Sequence, residues 1–140
     1  MKKIFALILA FVFIFSGCVS TEPQIDPNII VIEINSCDGK NIEYTVVNNS
    51  KDTIELGSDY RLEFKDGEDW AEVPETGEVF FTMIAYGINP NEGKSFSENL
   101  EMRYGELQKG TYRIVKSVRL LNEDGELFGT QEATGEFEIN

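Results

Sequence analysis

The chain has 140 residues, with 12 Lys and Arg against 25 Asp and Glu, a formal net charge of −13, two cysteines and no histidine. So acidic a surface repels polyanions, which excludes nucleic-acid readers and polybasic membrane binders and leaves cations or basic proteins as the natural electrostatic partners. The lack of histidine removes Ser-His-Asp and Cys-His catalysis and every His-containing zinc site, and two cysteines are too few for a thiolate zinc site or an iron–sulfur cluster.

The chain opens Met1-Lys2-Lys3, continues in an unbroken apolar run over 4–15 and then reads Ser16-Gly17-Cys18. Two lysines ahead of an apolar stretch too short to cross a bilayer have the form of an export signal. Small residues before a cysteine resemble the lipobox of prokaryotic lipoprotein precursors. That resemblance implies cleavage before Cys18, lipid attachment to its sulfur, and a mature protein tethered to the extracytoplasmic face of the cell membrane. Residues 1–17 are therefore read as a lipoprotein signal peptide, 18–28 as the lipidated cysteine and a flexible tether broken by Pro23 and Pro27, and 29–140 as one domain. Loss of the leader takes two lysines and moves the net charge from −13 to −15. With Cys18 lipidated, Cys37 has no partner for a disulfide; a different cleavage site would leave a Cys18–Cys37 bond open.

From residue 29 onward, short alternating runs separated by Gly, Asn, Asp and Pro predict an all-β fold, and no helix-period stretch of convincing length occurs. Residues 29–35 are rich in β-branched side chains and lead through Asp38-Gly39 into Ile42, Tyr44 and Val46, a hairpin. A turn over 48–52 precedes a strand over 59–65 with Tyr60, Leu62 and Phe64 inward and Arg61, Glu63 and Lys65 on a wet face. A turn at Asp66-Gly67-Glu68-Asp69 gives a strand over 70–73, with Trp70 packed at the sandwich end. Residues 79–86 are almost continuously apolar and are expected as a strand with one face lacking a partner. Turn chemistry over 87–93 introduces a strand over 94–102 through Phe96 and Leu100. The last two strands run over 110–121, whose inward set Lys116 interrupts, and over 127–139, joined at Asn122-Glu123-Asp124-Gly125.

Leu107-Gln108-Lys109-Gly110-Thr111-Tyr112-Arg113-Ile114 resembles the tyrosine corner of immunoglobulin-like sandwiches. The longer string Tyr104-Gly105-Glu106-Leu107-Gln108-Lys109-Gly110-Thr111-Tyr112-Arg113-Ile114-Val115-Lys116 is similar to the YGxLxxGxYRIxK signature of a family of bacterial immunoglobulin-like domains. Val47-Asn48-Asn49-Ser50, Tyr60-Arg61-Leu62-Glu63-Phe64 and Ile88-Asn89-Pro90-Asn91-Glu92 fit the same family. The resemblance implies an antiparallel β-sandwich of seven or eight strands, common in exported lipoproteins, with no established catalytic residues. It makes Leu107, Gly110 and Tyr112 structural.

The functional expectation is a lipid-anchored extracytoplasmic module that binds a protein partner at the cell envelope, without catalysis and without a cofactor. Its candidate docking face is Val79, Phe81 and Met83, or the alternate set Phe80, Thr82, Ile84 and Tyr86. Asp66, Glu68, Asp69 and Asp124 cluster oxygens in loops where a hard cation such as calcium could sit, although neither loop has EF-hand spacing and turns need the same residues. Other roles are a sensory or inhibitory lipoprotein acting on an envelope enzyme or receptor, and a carbohydrate module with Trp70, Tyr60 and Tyr86 as a stacking platform. Asn48-Asn49-Ser50 also has the form of a glycosylation acceptor. Cys37, in a turn with acidic company, is not a candidate nucleophile.

Overall fold

The computed structural model describes residues 29–78 and 80–140. The leader over 1–17, Cys18, the tether over 18–28 and Val79 lie outside the described residues. The strands are β1 (Ile30–Cys37), β2 (Asn41–Asn48), β3 (Thr53–Leu56), β4 (Arg61–Asp66), β5 (Asp69–Glu72), β6 (Tyr86–Ile88), β7 (Gly93–Asn99), β8 (Gly110–Leu121) and β9 (Leu127–Ile139), with one short helix, α1 (Leu100–Tyr104).

Two antiparallel sheets face each other. One has the order β1-β2-β7; in the other, β9 runs along β8 while β4 and then β3 share the opposite edge of β8, flanked by β5 and β6. Period-two alternation decides what is buried. Ile42, Tyr44 and Val46 of β2 meet Leu62, Ile114, Val118 and Leu120 from the facing sheet, all at 3% exposure or less. On one side β1 packs along β9, and the sandwich closes. On the other side Tyr86 of β6 meets Phe96 of β7, their rings edge-on at 5.4 Å, and Lys94 of β7 lies over the same Tyr86 ring. There the Thr76 and Gly77 amides donate to the Arg103 carbonyl of α1, and the Phe81 ring lies against the Arg103 guanidinium.

The immunoglobulin-like sandwich is the expected architecture, with nine strands among the described residues instead of seven or eight. The additional one is β3. Its four residues alternate half-buried and buried, but turn signals on both sides hide so short a run. Two expected strands have other bounds. Among its described residues the strand expected over 79–86 pairs only from Tyr86 onward, where its neighbour β3 stops at Leu56. The strand expected over 94–102 stops at Asn99, whose Oδ1 accepts from the Met102 amide at 2.7 Å and so caps α1. The wet face expected on β4 is partly covered: Glu63, 8% exposed, lies between Arg61 and Arg113, and Arg61 also holds Glu132.

Lys116 lies where the edge of β8 passes from β4 to β3. It is 1% exposed, and its Nζ donates to the Asp59 carbonyl at 2.9 Å in the link between those strands. Burial pulls its pKa down to about 8, against the opposing pull of Glu98 and Asp59. Asn48 is likewise buried. Its Nδ2 donates to the carbonyls of Asp52 and Ile88, and its Oδ1 accepts from the Ser50 amide and hydroxyl. A side chain so engaged is a turn-former, which removes Asn48 as a glycan acceptor in the folded domain.

Candidate functional site

The expected structural residues stand at the start of β8. Tyr112 donates its hydroxyl to the Gln108 carbonyl at 2.8 Å and its ring stacks on Phe137; Leu107 is half-buried against the core. Gly110 has φ of +152°, and a Cβ there would lie 2.5 Å from the Phe64 ring. Only a residue without a side chain lets β8 pass so close to Phe64. Upstream, the Tyr104 hydroxyl accepts from the Leu62 amide at 3.2 Å.

The open side of the sandwich is built by the chain after β5 and by α1. Pro74 ends the run after β5, and the amides of Thr76 and Gly77 both donate to the Arg103 carbonyl, which fixes the descending chain against α1. A Cβ on Gly77 would lie 2.3 Å from the Met102 carbonyl oxygen, so glycine is needed for that approach. In the five-residue α1, Leu100 and Tyr104 share the buried face, and Arg103 lies inward beside them at 6% exposure. Its guanidinium is held between the rings of Tyr60, 4.2 Å away, and Phe81, 4.5 Å away. Glu75 accepts from its Nε and Nη2. Nη1 has no hydrogen-bond partner among the described residues.

Two hollows flank Phe81 and Thr82. The first, about 330 Å³, is lined by Tyr60, Glu78, Phe80, Glu98, Met102 and Arg103 among others. The second, about 400 Å³, includes Glu55, Asp59, Met83, Ile84 and Arg119. The apolar side chains between them stand in solvent: Phe80 is 88% exposed, Phe81 41%, Met83 104% and Ile84 50%. Met102, 75% exposed, extends the patch onto α1. Of the two alternate faces weighed from sequence, neither is presented alone, because residues 80–85 are not a strand and both sets are exposed together. Val79 lies outside the described residues.

Glu98 was missed in the sequence, although the alternation that turns Phe96 and Leu100 inward turns Glu98 inward too. Burial raises its pKa, opposed by Lys116, by the Tyr44 hydroxyl that donates to it at 3.3 Å, and by Arg103. Arg103 was missed because five residues of helix leave no periodic trace.

Other candidates are dispersed. Trp70 stands on the outer face of its sheet between Lys65 and Arg113, Tyr60 is buried beneath Arg103, and Tyr86 faces Phe96. They form no common platform for a sugar. Asp66 and Asp69 are register partners at the ends of the β4–β5 hairpin, with the exposed Glu68 between them, and Asp124 sits in a turn organised by the Asn122 side chain. Among the described residues no group of three or more carboxylates or thiols is placed to hold a metal ion. At the half-buried Cys37, burial raises the thiol pKa and Asp38 adds to it, with the Gly39 amide opposing.

The family model for a bacterial Ig-like domain matches residues 30–138, and the chain belongs to that family. A search of the curated proteins found no match.

Proposed function

We propose that this protein is a lipid-anchored, extracytoplasmic binding module that docks another envelope protein through residues 80–84 and acts without catalysis. The observation that carries this reading is the joint exposure of Phe80, Phe81, Met83 and Ile84, four large apolar side chains within five residues. Contiguous exposed apolar surface of this kind is what docking surfaces offer. The export-signal form of residues 1–17 and the cysteine at position 18 support placement at the outer face of a membrane. Bacterial Ig-like domains are generally non-catalytic, which supports a binding role.

Two substitutions test the two halves separately. Met83→Glu is expected to abolish co-purification of the partner from the native host while the melting temperature stays within a few degrees, because Met83 packs against nothing. Retained binding would remove this face as the docking site. Cys18→Ser is expected to move the protein from the membrane to the soluble fraction; continued membrane association would remove the lipid anchor.

A further inference from the structure

The docking face also has a charge pattern that selects its partner. Around the apolar centre stand Glu78 and Glu98 in the first hollow and Glu55 and Asp59 in the second. The two arginines that line these hollows are already engaged: Arg103 with Glu75, and Arg119 with Glu55. Lys116, the other cation near Glu98, is buried in the core and bonded to the Asp59 carbonyl. Glu78, Glu98 and the Asp59 carboxylate therefore make no ion pair among the described residues. The rim is negative around an apolar middle.

One donor in this wall also lacks an acceptor. Arg103 Nη1 is shut away beneath Phe81, and a buried donor left unpaired is a standing cost that an arriving carbonyl oxygen would remove once the part-exposed Phe81 ring turns aside. Main-chain carbonyls supply such acceptors at regular spacing along an extended chain.

We propose that the occupant of this face is an extended segment of a partner protein in which basic side chains alternate with apolar ones. Its apolar residues cover Phe80, Met83 and Ile84, its ammonium or guanidinium groups reach Glu78, Glu98 and Asp59, and one of its carbonyls accepts from Arg103. The proposal rests on the docking reading above and adds the chemistry of the partner. A small organic cation would fill one hollow and leave the apolar residues between them bare. A second copy of this chain would bring −13 against −13, with like carboxylates face to face, and an anionic lipid surface is repelled for the same reason.

The test uses the full-length protein in a zwitterionic detergent and three fluorescent nine-residue peptides in which valine alternates with lysine, serine or glutamate. Fluorescence anisotropy should show saturable binding of the lysine peptide, weaker binding of the serine peptide and none of the glutamate peptide. The double variant Glu78→Gln, Glu98→Gln should weaken lysine-peptide binding by about tenfold or more. Glu136→Gln with Glu138→Gln, on exposed positions of β9, should leave it within about twofold, since distant surface charges are screened. Thermal melts of each variant show that the fold is intact. If the remote pair weakens binding as much as the local pair, the attraction is general to an acidic protein and the proposal is overturned. If serine and lysine peptides bind alike, and both are lost in Phe80→Ser with Met83→Ser, the docking face stands and its basic selectivity falls. If the Phe80→Ser, Met83→Ser variant binds every peptide as the wild type does, the docking reading falls with it.

Discussion

Lys116 holds an ammonium group at 1% exposure with a single hydrogen bond to the Asp59 carbonyl, so its protonation is coupled to folding. Its folded pKa of about 8 lies below the ordinary 10.5, so between these values the unfolded chain binds more protons and stability rises with pH. The cost of burying the charge is fully present below pH 8. Relative to Lys116→Met, the wild type is expected to gain about 2–3 kcal/mol between pH 7 and 10 in urea titrations. A flat difference would mean that the amine is solvated. Above pH 10 the sign reverses for the molecule as a whole. Tyr44, Tyr60 and Tyr104 all have raised values, Tyr104 to about 12, chiefly through burial, so their unfolded forms lose protons first. Tyr112 gives a simpler prediction: Tyr112→Phe removes the bond to the Gln108 carbonyl and should cost about 1 kcal/mol, read as a lower urea midpoint at unchanged slope.

At the scale of elements, the contact between β8 and β4 depends on Gly110. Gly110→Ala brings a methyl group 2.5 Å from the Phe64 ring at a backbone angle unsuited to alanine, and should cost about 2 kcal/mol or more. Adding Phe64→Leu should recover the steric part and leave the backbone part. If the double variant is no more stable, relative to Phe64→Leu alone, than Gly110→Ala is relative to wild type, the ring is not what excludes a side chain there. The same elements show what could be read without coordinates. β1, β2, β8 and β9 were legible because eight to thirteen residues of alternation, bounded by Asp-Gly turns, repeat one signal many times. β3 was not, since four residues between turns carry too little pattern. Residues 80–85 misled because apolar composition resembles a buried strand, whereas pairing requires a neighbour long enough to pair with. The exposure of part of this segment was legible from its doubly apolar pattern, while its conformation was not. Glu98 and Arg103 join it only through the meeting of β7, α1 and the chain after β5, which no local pattern records.

For the whole molecule, the architecture divides labour between its two sides. The closed side, where β1 packs along β9, is well alternated. The open side carries Phe80, Phe81, Met83 and Ile84 with the acidic rim, while Leu127 and Phe128 are exposed at the start of β9. A net charge of −13 favours basic partners at long range, so association through this face should slow as salt rises from about 50 to 500 mM while dissociation changes little. On the proposed reading, a partner sits on the open side. The most direct measurement places a photo-crosslinking benzoylphenylalanine at position 83, and in a second strain at position 128, in the full-length protein within its native host. Phe128 is also exposed, at 52%, but lies on β9, away from the open side. A discrete crosslinked protein from position 83 and none from position 128 is the expected result. The same products from both positions, or from position 128 alone, would contradict the assignment of the docking face.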